Sequence, residues 1–91
     1  MKRFVWNDEK NKKLKESRNI TFEIMVEEIS KGNLIDTILH PNKTKYPHQK
    51  VFVIRYEDYI YLVPFVETEN EYFLKTVFPS REAQKRYGEK R

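Results

Sequence analysis

The chain contains no cysteine, so a disulfide framework, a thiolate nucleophile and a thiolate-ligated metal are all excluded. Its two glycines, Gly32 and Gly88, are too few and too far apart for a glycine-rich phosphate loop. Ser80 lacks the flanking glycines of a nucleophile elbow, and helix capping explains it better. His40 and His48, the two histidines, fall short of a zinc set without cysteine. Nucleotide hydrolases, metalloenzymes and serine hydrolases therefore drop out, and no cofactor is expected. No apolar run approaches the roughly 20 residues of a membrane span. Asp8, Glu9 and Lys10 arrive too early for the apolar core of a signal peptide. A cytoplasmic location with no membrane partner is the simplest expectation.

The 91 residues are read as one domain, 1–91, with a single modest core. Lys and Arg number 18 against 14 Asp and Glu, a formal charge of +4 with a pI near 9.3. That balance suits a polyanionic partner and equally a solvated basic surface.

Phe4, Val5 and Trp6 form a short run suited to an edge strand. A helix follows to about Arg18: Asn7 caps it, and Asp8 and Glu9 sit at the positive end of its dipole. Leu14 is its only aliphatic residue, while Lys10, Lys12, Lys13, Lys15 and Arg18 surround it. This is either a solvated helix with lysine stems lying along the surface or a basic rail for RNA. In the next helix Phe22, Met25, Val26 and Ile29 fall on one stripe. Thr21 caps it, Ile20 staples it, and Gly32 stands where a left-handed residue ends it.

Leu34 to Leu39 reads as a strand, followed by a polar basic loop from Pro41 to Gln49. Three strands come next, near Lys50 to Tyr56, Tyr59 to Glu67 and Glu71 to Phe78, with turns at Glu57-Asp58 and Thr68-Glu-Asn70. With turns of two and three residues, Phe52, Tyr56, Tyr59, Tyr61, Phe65, Phe73 and Lys75 share one face. Val51, Val53, Ile60, Leu62, Val66, Leu74 and Phe78 share the other. The aliphatic set is expected to take the amphipathic helix, leaving the tyrosine-rich set as the working face. Pro64, in the middle strand, signals a bulge or an edge. Ser80 then caps a short C-terminal helix on which Arg81 and Lys85 share one face and Ala83 and Tyr87 another. Arg86, Lys90 and Arg91 add charge.

Aromatic rings interleaved with cations suit single-stranded RNA, whose bases stack on rings while phosphates meet Lys and Arg. The chemistry left open is metal-independent phosphodiester cleavage, in which the RNA's own 2′-hydroxyl attacks the adjacent phosphate. It needs proton transfer and cations over the developing charge. His40 and His48 have the pKa for proton transfer. Arg55, Lys75 and Arg81 are candidates to hold phosphate, and Tyr61 to orient or protonate. Each has a rival structural role.

The opening Phe4-Val-Trp-Asn7 with Lys10, the run Ile20-Thr-Phe-Glu23, and the close Pro79-Ser-Arg81 with Ala83 and Tyr87 together resemble BrnT-like toxins of bacterial type II toxin-antitoxin systems, within the RelE superfamily. The likeness runs over nearly the whole chain through the order of short motifs. At the end of the first helix, where BrnT-type sequences tend to have Lys-His, this chain has Ser17-Arg18. Asn7 stands in place of the Asp of the opening motif.

The resemblance implies an α+β fold: a small antiparallel sheet of about four to five strands, two N-terminal helices on one face and a short C-terminal helix. It implies a ribonuclease that lowers translation without metal. It also implies a cognate antitoxin, commonly a small DNA-binding protein of ribbon-helix-helix type. Lys10, Arg81 and Tyr87 are the positions it supports best. The expected catalytic set is Arg81, Lys75, His40 and Tyr61. The expected RNA contacts are Lys10, Lys13, Arg18, Arg55, Tyr59, Lys85, Arg86 and Tyr87. A module that binds RNA or protein without cutting is the alternative.

Overall fold

The computed structural model describes residues 2–40 and 42–88; Lys90 and Arg91, expected to extend the basic C-terminus, lie outside them, as does Pro41 at the head of the loop. The elements are β1 (Arg3–Trp6), α1 (Asp8–Arg18), α2 (Phe22–Ser30), β2 (Leu34–Leu39), β3 (Lys50–Tyr56), β4 (Tyr59–Glu67), β5 (Glu71–Leu74), β6 (Phe78–Pro79) and α3 (Arg81–Ala83), which widens into a π-helical turn over Gln84–Gly88. The fold is α+β, as expected. Among the described residues no helix is long and apolar enough to cross a membrane.

The helix ends obey local chemistry. Asn7 Oδ1 accepts the Lys10 N–H at 3.0 Å, and Thr21 Oγ1 accepts that of Ile24 at 3.2 Å, each satisfying a donor the helix leaves open. Asn19 ends α1 in the left-handed region with φ of 55°. Gly32, at φ of 90°, turns the chain out of α2 at little steric cost. Glu28, buried on α2, accepts the Asn33 side-chain N–H at 2.6 Å and so ties the helix to the start of β2.

The sheet order is β1-β5-β4-β3-β2, with β6 also on β4. Pairing is antiparallel except for β1 with β5, which is parallel, so the sheet is mixed. β5 and β6 lie along the same side of β4, and the register against β4 shifts by one residue between Leu74 and Phe78. Pro64 explains why the break is tolerated there. Its carbonyl accepts the Lys75 N–H at 2.8 Å, so its missing donor faces the same interrupted side. Proline in a central strand is thus matched to a bulge in its neighbour.

The expected faces need correction. The β3–β4 register does place Phe52, Tyr56, Tyr59, Tyr61 and Phe65 on one side, but α1 and α2 cover that side. Leu14, Ile20, Phe22 and Met25 pack there against Phe52, Ile54, Val63, Phe65, Leu74 and Val77. Phe52 and Phe65 stack with centroids 3.9 Å apart, and Phe22 stacks on Trp6 at 5.6 Å. Large rings, rather than the aliphatic set, fill the space beneath two helices because they bury more area per residue. Phe73 and Lys75 lie on the opposite face, and Leu74 on this one. Glu67 pairs with Tyr72, one residue beyond the three-residue turn that was expected. A slip of one residue exchanges every side chain of a strand between faces.

On the opposite face Val51, Val53, Ile60, Leu62 and Ala83 make a smaller cluster, joined by Ile38, Phe78 and Tyr87. The layers are therefore two helices, the sheet, and the short α3.

Leu14 is the one buried residue of α1, so its side chain anchors that helix. Leu14→Ala should lower unfolding stability by about 2–5 kcal/mol in urea titrations. Lys12→Ala, on the exposed side, should stay within about 0.5 kcal/mol.

Candidate functional site

The α3 face of the sheet gathers most of the chemistry. β2 presents Asp36 and Ile38 by register with His40 just past its end, β3 presents Arg55, β5 presents Phe73, and Lys75 follows at the β5–β6 break. Above them Ser80 Oγ accepts the Ala83 N–H at 3.1 Å and starts α3. The turn after α3 is closed by Gly88, where a Cβ would lie 2.3 Å from the Gln84 side chain. This wide turn aims Tyr87 back at the sheet. Its hydroxyl donates to Asp36 Oδ2 at 3.0 Å, and its carbonyl accepts from Arg55 Nη2 at 3.4 Å.

A groove of about 880 Å³ runs between α3 and β2. Ile38, Leu62 and Ala83 line its apolar part, and Lys43, Lys85 and Arg86 supply cations, with Glu82 a single carboxylate among its lining residues. Lys85, Arg86 and Arg81 are exposed. Lys75 is exposed too, its Nζ 5.2 Å from the centre of the Phe73 ring, an arrangement that pairs a cation with an aromatic face.

Burial raises the Tyr87 phenol above its ordinary 10.0, the hydrogen bond and charge of Asp36 add to this, and Arg86 opposes it. Tyr56, on the other face, is raised by burial and by Glu57.

The structure divides the sequence-derived residues between two faces. Arg81, Lys75, His40, Arg55, Lys85, Arg86 and Tyr87 belong to the α3 side. Tyr61 does not: it is half-buried on the α1/α2 side, edge-on to Tyr56 at 5.8 Å and to Tyr59 at 6.2 Å. Side chains on opposite faces of a sheet do not converge on one phosphate, so the expected catalytic set of Arg81, Lys75, His40 and Tyr61 is not assembled as a whole. Tyr59 shares that face with Tyr61, and Lys10, Lys13 and Arg18 stand on α1, beyond it. Arg18 also has a structural task, donating through Nη1 to the Val77 carbonyl at 2.6 Å across the strand break.

His40 is engaged in its own loop. Its Nδ1 accepts the Asn42 N–H at 3.0 Å, and its ring lies 4.4 Å from that of Tyr46. An Nδ1 that accepts leaves the neutral ring's proton on Nε2. His48 is exposed.

Asp36 and Lys43 were not singled out from the sequence. Asp36 is the lone charge in the strand LIDTIL, and that isolation is a legible signal. Lys43 is one of two lysines in the loop, and only the fold of the loop places it by α3.

Set against known proteins, the chain matches no family model, no curated protein and no solved structure.

The raised phenol has a measurable consequence. A Tyr whose folded pKa exceeds its unfolded value contributes stability that is fully present below pH of about 10 and is lost as pH rises through the folded value. Tyr87→Phe should therefore flatten the alkaline fall in stability, read as denaturant midpoints on either side of pH of about 10. The contribution of Tyr56 should remain.

Proposed function

We propose that the protein is a BrnT-like toxin of a type II toxin-antitoxin pair that engages messenger RNA on its α3 face and cleaves it without metal. The observation that carries this reading is the groove between α3 and β2, where Lys43, Lys85 and Arg86 stand beside Tyr87, with exposed Arg81 on α3 and exposed Lys75 beside Phe73 on the same face of the sheet. Exposed cations answer the phosphates of a single strand, and the half-buried rings of Phe73 and Tyr87 offer its bases a surface to stack on. The motif order at the start and close of the chain supports the same family.

In such a reaction the 2′-hydroxyl passes its proton to solvent water and attacks phosphorus, while the bond to the 5′-oxygen breaks and that oxygen takes a proton from water. Arg81 and Lys75 would hold the phosphate oxygens as charge develops. His40 is given no part in the step: its neutral ring accepts the Asn42 N–H at Nδ1, and it lies beside Gln49 while Arg81 follows Ser80 beside Ile60, at opposite ends of the β3–β4 hairpin. Tyr61 is given no part in the step, since it lies on the other side of the sheet. A co-encoded antitoxin with a DNA-binding domain is the partner this reading calls for.

One observation favours a second reading, a module that grips RNA without cutting. The Tyr87 hydroxyl is committed to Asp36 and pushed away from proton transfer by burial, so it makes a poor base beside the cations.

Tightly induced expression in a bacterial host, followed by mapping of new RNA 5′ ends, separates the two. Growth arrest with new ends that a neighbouring gene relieves supports the toxin. Arrest without new ends supports binding alone, and no arrest from a folded product overturns both. Arg81 is exposed, so Arg81→Ala should leave the melting temperature unchanged while abolishing new ends and growth arrest. A folded Arg81→Ala protein that remains fully toxic would remove Arg81 from the site.

A further inference from the structure

The helix side of the sheet holds a second hollow, of about 870 Å³, where α2 ends and Gly32 turns the chain away into β2. Phe4, Phe52 and Tyr72 wall it, together with Ile29 and Leu34. The three rings come from β1, β3 and β5 and meet at different angles. Phe52 and Tyr72 cross at 81° with centroids 5.5 Å apart, Phe4 and Phe52 at 61° and 6.1 Å, and Phe4 and Tyr72 at 33° and 5.3 Å. Rings so disposed offer both a face and edges to an inserted flat ring.

The apolar area is confined to the hollow. Its aromatic and aliphatic lining is buried or half-buried, and the exposed large hydrophobic residues among those described, Ile35 and Leu39, lie outside it. A surface made for a protein partner spreads exposed apolar residues over a patch. A concave apolar pocket of this size with a few polar groups has the form of a small-molecule site.

The polar rim decides the charge of the occupant. Lys2 and Glu69 are the charged lining residues. Lys2 is paired with Glu67, its Nζ 5.5 Å from the centre of the Tyr72 ring, and Glu67 also takes Lys50. Glu69 is exposed and makes no ion pair among the described residues. Ser30 Oγ shares its proton between the Val26 and Glu27 carbonyls, each at 3.2 Å, which leaves its lone pairs free to accept. Ser30 also ends α2, whose last turn holds no basic residue, at the negative end of the helix dipole. Lys31, just beyond, is paired with Glu28. A carboxylate, a hydroxyl oxygen and a helix C-terminus together suit an ammonium group, each of whose N–H bonds donates.

We propose that this hollow binds an arylalkylamine, its flat ring among Phe4, Phe52 and Tyr72 and its protonated amine towards Glu69 and Ser30. The site lies across the sheet from the α3 groove and stands independently of the RNA reading.

Tryptamine is the probe. It is compared with indole-3-propionate, which keeps the ring and ends in a carboxylate, and with hexylamine, which keeps the ammonium without a ring. Binding is read by NMR titration of the backbone amides of Phe4, Leu34 and Tyr72. Tryptamine should shift all three saturably, and each comparison compound should bind about tenfold more weakly. Glu69 is exposed in a turn, so Glu69→Gln should keep the melting temperature, weaken tryptamine about tenfold and leave indole-3-propionate no weaker.

Equal binding of tryptamine and indole-3-propionate would overturn the proposal by showing burial of a ring alone, and equal binding of hexylamine by showing attraction of charge alone. So would shifts confined to Ile38, Leu62 and Ala83, which place the amine in the α3 groove. A concentration-dependent dimer that shifts Phe4 and Tyr72 in the absence of amine would overturn it too, since the occupant would then be a second copy. Tryptamine binding as expected, in a protein that ignores a single-stranded oligoribonucleotide, would uphold this site and remove the RNA reading.

Discussion

Glu57 and Asp58 hold φ of 52° and 63°, and the pairing they impose on β3 and β4 governs what lies on either side of the sheet. Two successive left-handed residues turn a hairpin with the twist its strands need, even without glycine. Tyr56 is thereby set against Tyr59, and each pair after it follows. The rings of Phe52 and Phe65 go to one side and Val51, Val53, Ile60 and Leu62 to the other. β4 then serves as template for β5 and β6, so the turn's influence reaches Lys75 and the start of α3. Left-handed backbone in non-glycine residues costs roughly 1–2 kcal/mol each, a cost the packed strands on both faces offset.

The sheet separates two kinds of basic surface. On one side, α1 carries its lysines around a single buried leucine, with one arginine already spent on bracing the strand break. On the other, the cations of α3 and the loop surround an apolar groove at the end of which Tyr87, Asp36 and Arg55 are linked. The second surface sets several cations around its concavity, whereas the hollow beneath α2 is lined mainly by apolar residues and rings, which is why the functional proposal rests there. The same groove borders β2, whose outward Thr37 N–H is held by the Asp36 carboxylate.

Much of the fold is legible residue by residue. Asn7, Thr21 and Ser80 each accept the helix N–H that their chemistry and position call for, because capping is settled within one turn of chain. The stripe of Phe22 and Met25 is buried, because a helix with one apolar side has one way to face a core. Pro64 announces a discontinuity, though not that its neighbour would supply it. Tyr61 shows the opposite case. Its alternation with Tyr59 is readable, but alternation defines a face without saying what covers it.

Local rules therefore determined the helices with their N-terminal caps and the even-odd partition of β3 and β4, since each depends on residues a few positions apart, whereas the strand expected from Glu71 to Phe78 is broken into β5 and β6. Tertiary structure alone decided that α1 and α2 take the aromatic face, that the turn after Glu67 flips Phe73 and Lys75, and that Asp36 meets Tyr87 across 51 residues. These outcomes are set by the volume of rings beneath two helices and by pairing one residue out from the simplest turn. Both are properties of surfaces brought together in space, and no window along the chain contains them.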